Sequence, residues 1–373
     1  MVAIVNVKWY NAIEQRKKGY ILETIVQIID KYKWKTQELS QAAKIINQGG
    51  LVAFPTETVY GLGADGLNKE AAKKIYEAKG RPSDNPLILH VASLDAFKEL
   101  AVEVPEAAYQ LADAFWPGPL TMVLKKSEKV PYGTTGGLET VAIRMPNDEI
   151  ALGLIRESKA YLAAPSANTS GRPSPTTAKH VVDDMSGKID MVLDGGQVGI
   201  GIESTIIDLT SEVPTILRPG YITKSMLEQV IGPVTVDAAI LSKNQDKNLR
   251  PKAPGMKYKH YAPKGDLTIC EGEMSKVVSY INHKVKEDLL AGKKVGVIAT
   301  KETEAQYEGG IIKTVGSRAE EASIAHGLYS VLRDFDDLEV SVIYAESFRD
   351  NELGQAIMNR LLKAAGYQVV YVE

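Results

Sequence analysis

The sequence predicts an α/β protein in two units: a twisted mixed sheet with helices, then a smaller Rossmann-like α/β domain, joined by a Pro-rich linker. Three observations carry this. The chain has 373 residues, more than one ordinary hydrophobic core accommodates. Helix-period and strand-period segments are interspersed along it, and hairpin-like spacing between several strands argues against a purely parallel sheet in the first unit. Between Pro233 and Pro263 the texture changes: Asn244, Gln245, Asp246, Lys247 and Asn248 are followed by Pro251, Pro254 and Pro263, with no sustained apolar period. The expected boundaries are a leader over 1–35, the first domain over 36–232, the linker over 233–264 and the C-terminal domain over 265–373.

In chain order, the leader gives no clear period beyond a strand within 20–29. Thr36 is placed to cap a helix carrying Leu39, Ala42, Ala43 and Ile46, which Gly49 and Gly50 end. A buried strand at 51–54 runs into Pro55. Asn68 is placed to cap a helix whose apolar positions are Ala71, Ala72, Ile75, Tyr76 and Ala78, and 87–91 reads as a short strand. Helices follow at 95–101, 105–115, 148–158, 177–185 and 224–231. Strands are expected at 120–124, 141–144, 161–163, 191–193, 204–209 and 215–218. Beyond the linker, strands at 265–270, 294–300, 340–345 and 368–372 alternate with helices at 275–290, 320–335 and 354–365. That order, with one further strand allowed for, is β-α-β-(β)-α-β-α-β, the pattern of a small Rossmann-like sandwich. It contains no GxGxxG, so no dinucleotide site is expected there.

Composition removes several function classes. A net charge of −3 gives no electrostatic case for a dedicated nucleic-acid binder, although a local basic concavity is compatible with it. Cys270 is the single cysteine, which excludes internal disulfides and Cys-rich zinc sites and fits a reducing, cytoplasmic setting. No apolar run approaches the roughly 20 residues that span a bilayer, and Lys8, Glu14, Arg16, Lys17 and Lys18 interrupt any secretory apolar core. His90, His180, His260, His283 and His326 have no metal-ligand spacing.

The chemistry-bearing residues fall in a few segments. Residues 79–90, KGRPSDNPLILH, put Lys79 and Arg81 in a Pro-stiffened loop between helix and strand, suited to holding a polyanion or, equally, to a plain charged surface loop. Residues 54–63, FPTETVYGLG, follow a strand with two hydroxyls, a carboxylate and glycines that let backbone approach a ligand. Arg144 closes a strand, where a lone arginine is ordinarily a surface ion-pair partner unless other cations converge on it. Residues 163–174 are dense in small hydrogen-bonding residues, as in anion-binding nests. Ser204 opens one strand and Arg218 closes another. Together Lys79, Arg81, Arg144 and Arg218, with hydroxyls from Thr58, Ser166 and Ser204, are an inventory for a triphosphate and a small carboxylate-bearing substrate.

These segments resemble the threonylcarbamoyl-adenylate synthase family in its long, two-domain form with a YrdC-like catalytic domain. The matching motifs are FPTETVYGLGAD, KGRPSDNPLILH, WPGPLT, TVAIRMP, APSANTSGRPSPT, GIESTIIDL and ILRPG, then APGMKYKHYAP in the linker and LGQAIMNRLLKAA near the C-terminus. The resemblance implies a nucleotidyltransferase that makes threonylcarbamoyl-adenylate and pyrophosphate from L-threonine, bicarbonate or CO2, and ATP. It also implies a downstream complex that transfers the threonylcarbamoyl group to tRNA, and leaves weak direct tRNA contact open. By motif matching, Thr58, His90, Arg144, Ala164 and Ser204 would surround threonine or its carbamate. Lys79, Arg81, Asn85, Thr140, Ser166, Asn168, Ser174 and Arg218 would surround ATP. Mg2+ is expected with the nucleotide, held mainly by phosphates and water, because no acidic cluster marks protein ligands. In the linker, Lys257, Tyr258, His260 and Tyr261 interleave aromatics with cations, which suits a lid over the nucleotide or a packed spacer. Two rivals are an RNA-binding module and a different carbamoyl or adenylyl transferase on the same domain. The hydrogenase-maturation carbamoyltransferases carry Cys-rich zinc fingers that one cysteine cannot supply.

Overall fold

The computed structural model describes residues 4–5, 23–241, 253–254, 260–349 and 352–373. Its strands are β1 (Ile4–Val5), β2 (Ile25–Ile28), β3 (Val52–Phe54), β4 (Gly61–Asp65), β5 (Ile88–His90), β6 (Leu120–Lys125), β7 (Thr140–Arg144) and β8 (Leu162–Ala163). They continue with β9 (Met191–Asp194), β10 (Thr205–Asp208), β11 (Thr215–Arg218) and β12 (Thr235–Val236). These form one mixed sheet in the order β1-β2-β9-β3-β4-β8-β5-β7-β6-β10-β11-β12. The second sheet holds β13 (Asp266–Gly272), β14 (Val295–Ala299), β15 (Ile311–Thr314), β16 (Val342–Glu346) and β17 (Val369–Val372), in the order β15-β14-β16-β13-β17 with every pair parallel. The mixed-sheet and Rossmann-like architectures are both present.

Local chemistry explains where elements begin. The Asn68 side chain accepts from the amides of Glu70 and Ala71 and starts the helix Lys69–Lys79; Gly80, in the left-handed region, ends it. Asp148 does the same for the helix Glu149–Ser158, accepting from Ile150 and Ala151. Thr36 does not cap an α-helix as expected. It opens a 3-10 turn, Thr36–Leu39, and the Glu38 carboxylate accepts from the Lys35 amide before the α-helix Ser40–Asn47.

Two further differences come from burial and pairing. Residues 61–65, where no strand was expected, form β4, antiparallel to β3. A β-carbon on Gly63 would meet the Phe54 ring at 2.7 Å, so glycine is what lets that ring lie across the strand. Residues 25–28, assigned to a leader, pair with β9 inside the main sheet, and 235–236, assigned to the linker, extend it past β11. Among the described residues no helix is long and apolar enough to cross a membrane.

Candidate active site

The register of the main sheet assembles the first half of the site. β5 and β7 are parallel neighbours with His90 opposite Arg144, and antiparallel β6 sets Thr121 against the same arginine. β10 runs parallel to β6, so Ser204, just before it, reaches Thr121: the two hydroxyls are 2.8 Å apart. Arg218 closes β11 opposite Ile206, and its guanidinium donates to the Ser204 carbonyl at 3.0 Å and the Ser204 hydroxyl at 3.1 Å. Over this part of the sheet lies a cleft.

Thr58, His90, Arg144, Ala164 and Ser204 all line the cleft, as do Lys79, Arg81, Ser166, Asn168, Ser174, Arg218, His260 and Tyr261. Two expected ATP contacts do not. Asn85 is buried beneath the cleft, where its carbonyl accepts from Tyr76 Oη and Arg81. Thr140 stands at the other end of β7 from Arg144, four residues or roughly 13 Å away. Lys257 and Tyr258 lie outside the described residues.

Arg144 and His90 form one end. Arg144 is almost wholly buried, and its Nη2 lies 2.7 Å from Glu57 Oε2. Neither atom makes an aligned hydrogen bond there, so the contact is a charge pair without good donor geometry. His90 Nδ1 is 3.2 Å from the Ile88 carbonyl, which can only accept, so that nitrogen carries the proton of the neutral ring. Burial, then the adjacent Arg144, pull His90 down to about 3, and it stays neutral throughout the physiological range.

Lys79, Arg81 and Arg218 form the other end. Burial, then Arg81, push the Lys79 ammonium well below its ordinary value. Its protons go to the Ser166 carbonyl, the Asn168 carbonyl at 2.5 Å and Asn168 Oδ1 at 3.4 Å. Lys79 therefore shapes the 166–168 loop as well as facing the cleft. Asn168 is engaged on its own side, accepting from Ser166 Oγ at 2.5 Å and donating to the Thr169 and Arg172 carbonyls. Burial lowers Arg81 to about 10, still cationic at neutral pH.

Residues that sequence reasoning did not assign complete this end. Glu203 lines the cleft and accepts from Ser174 Oγ at 2.5 Å, Tyr329 Oη at 2.9 and 3.1 Å, and Arg360 Nε at 3.1 Å. Arg333 pairs with Asp184 at 3.0 Å and donates to the Pro173 carbonyl, and Arg172 pairs with both Asp184 and Asp336. Tyr329, Arg333, Asp336 and Arg360 come from the C-terminal unit. Arg360 carried a signal, since it sits on the helix face of Ala356, Ile357, Leu361 and Ala364, where an unpaired cation would be costly. Residues 261–264 dock between the units: Tyr261 stacks on Tyr329 (5.2 Å), Ala262 donates to the Gly171 carbonyl, and Lys264 to Asp336. Among the described residues, no group of three or more His, Cys, Asp or Glu gathers as metal ligands.

The chain is similar to known proteins along most of its length. Residues 44–220 match the Sua5_yciO_yrdC family model, described as telomere recombination, and residues 222–366 match the model described as threonylcarbamoyl-AMP synthase, C-terminal domain. The chain is 49% identical over 346 residues to the threonylcarbamoyl-AMP synthase of Bacillus subtilis (strain 168), covering 92% of this chain and 98% of that one. It is 50% identical over 340 residues to that of Pyrococcus abyssi (strain GE5 / Orsay), covering 91% and 96%. The crystal structure of P. abyssi Sua5 complexed with L-threonine superposes with a TM-score of 0.88 at 48% identity, covering 94% of this chain and all of that one. With both family models matched in order and relatives aligned nearly end to end, the chain belongs to the threonylcarbamoyl-AMP synthase family, in its two-domain form.

Proposed function

We propose that the cleft condenses L-threonine, CO2 and ATP into threonylcarbamoyl-adenylate and pyrophosphate, with threonine at the Arg144 end and the triphosphate at the Arg81 and Arg218 end. The observation that carries this is one continuous cleft with a buried guanidinium at each end. The chemistry needs no protein nucleophile. The threonine amine adds to CO2, forming an N–C bond and losing a proton, to give a carbamate. A carbamate oxygen then attacks the α-phosphorus in line, and the P–O bond to pyrophosphate breaks. A weak nucleophile and an anionic leaving group place the catalytic demand on positioning and charge stabilisation.

The residues divide that work. The Arg144 guanidinium receives the threonine carboxylate. His90, neutral, contributes a fixed polar contact beside it, not a charge. Arg81 and Arg218 compensate the phosphate charge, and the loop pinned by Lys79 presents Ser166 at the cleft. Mg2+ would neutralise phosphate charge when it enters with ATP. Glu203 is the one carboxylate among the described lining residues, and its oxygens are already taken by Ser174, Tyr329 and Arg360, so phosphates and water would hold the ion. His260 and Tyr261, both buried and lining the cleft, fit a lid docked in its closed position. The product is an activated carbamoyl donor; a downstream tRNA-modifying complex would consume it, and with a net charge of −3 any direct tRNA contact would be weak.

The test is pyrophosphate release by the purified protein with Mg2+ present. Release is expected only when ATP, L-threonine and bicarbonate are all supplied, with a product of threonylcarbamoyl-adenylate mass. Release without threonine would refute the assignment.

A further inference from the structure

We propose that Arg360 and Tyr329, on two helices of the C-terminal unit, are positioning residues for the nucleotide end of the cleft: they hold and neutralise Glu203 so that a triphosphate can bind beside it. This rests on the assignment of Ser174 and Arg218 to ATP made above.

A carboxylate lining a triphosphate site opposes binding unless its charge is cancelled. Glu203 is in that position. Arg360, fully buried in the helix Glu352–Ala364, meets it with Nε at 3.1 Å from Oε2. The rest of the guanidinium spans two backbone segments: Nη2 donates to the Glu203 carbonyl at 3.3 Å, and Nη1 to the Pro219 carbonyl. One planar group thus fixes the spacing between the start of β10 and the end of β11, the segments that carry Ser204 and Arg218. Tyr329, in the helix Glu321–Asp337, places its hydroxyl between both Glu203 oxygens and stacks on Tyr261, itself a cleft residue.

The electrostatics agree. Burial pushes the Glu203 carboxyl up, but Arg360 and then Arg218 outweigh it and hold the group at about 2. It is therefore ionised, and its charge is met from the far side by the C-terminal unit. Docking also depends on close backbone approach: a β-carbon on Gly201, which has φ +91°, would meet the Ala325 carbonyl at 2.6 Å. Deleting Arg360 while keeping Glu203 removes the larger of the two cations that offset this buried anion facing the phosphates. Deleting both charges leaves no anion to offset.

The experiment measures KM for ATP and for L-threonine in the pyrophosphate assay, on full-length variants whose folding is checked by circular dichroism. In Arg360→Met the KM for ATP is expected to rise about tenfold or more while that for threonine stays within about threefold. The double variant Glu203→Gln/Arg360→Met should recover most of the ATP loss. A parallel rise in both constants with no recovery in the double variant would mean that Arg360 only stabilises the fold, and would overturn the proposal. If Arg360→Met does not fold, Arg360→Lys and Tyr329→Phe take its place, and an unchanged KM for ATP in both would overturn it equally. Arg218→Ala separates the two layers of inference. Normal ATP affinity in that variant would refute the site assignment itself, whereas lost affinity there with intact affinity in the Arg360 variants would refute only the role of the C-terminal unit.

Discussion

At one end of the cleft, Arg144 and His90 are set by neighbouring strands of a single sheet; at the other, Ser174, Glu203 and Arg218 are held by side chains from two units. The first arrangement is fixed by backbone ladders, β5 against β7 against β6. The second depends on Arg333, Tyr329 and Arg360 reaching across from the C-terminal helices. The difference has a physical logic. A small amino acid needs one rigid carboxylate clamp, which a sheet supplies. A bulky polyanion must enter, be enclosed and leave again as two products, and a boundary between packed units can open without breaking a core.

The comparison can be broken most forcefully at Arg333. Arg333→Ala strips one cation from the buried Asp184 and frees the Pro173 carbonyl. Breaking a buried pair in this way should cost about 3 kcal/mol, read as a lower urea midpoint, and KM for ATP should rise because the 171–174 loop loses its strap. A stability change below about 1 kcal/mol would mean that the interunit contacts hold little together.

The strand-built end makes its own prediction through pH. Unfolded His90 takes up a proton near 6.5, whereas folded His90 does so only at about 3. Between those values the unfolded state binds more protons, so stability is complete above pH 6.5 and is lost as pH falls. From pH 6.5 to 5 the loss from this residue is about 2 kcal/mol. Urea midpoints measured against pH should show it, and His90→Asn should flatten that part of the curve. An equally steep curve in the variant would assign the effect to other groups, of which His180, lowered to about 4, is the first candidate.

A smaller effect is expected at Glu57. This carboxylate sits against Arg144 without an aligned hydrogen bond and competes with the substrate carboxylate for the same guanidinium. Glu57→Gln should tighten threonine binding about threefold by calorimetry. Weaker binding would show instead that Glu57 orients the arginine.

Much of this site is legible in the sequence because its residues lie in short segments with unusual local chemistry: cations beside prolines at 79–86, small hydroxyl residues at 163–174, a cation closing a strand at Arg144. Chain order does not say which segments meet, and two kinds of information were lost for that reason. Glu57 read as one carboxylate of a ligand-approaching segment, and nothing in chain order shows that the β3–β4 segment carrying it meets Arg144. Arg360, Tyr329 and Arg333 lie more than 100 residues beyond the segments they brace, so only the docking of the units gives their charges meaning. The β4 strand was missed for the opposite reason: its glycines signal a loop locally, and the Phe54 ring that needs them comes from another strand.

The most direct test of a two-ended cleft is calorimetric titration of L-threonine and of ATP, separately, into Arg144→Ala and Arg218→Ala. The account requires a crossed pattern: Arg144→Ala loses threonine affinity by about a hundredfold and keeps ATP, and Arg218→Ala does the reverse. Loss of both ligands in both variants, with the fold intact, would contradict separate ends and make the cleft a single cooperative site.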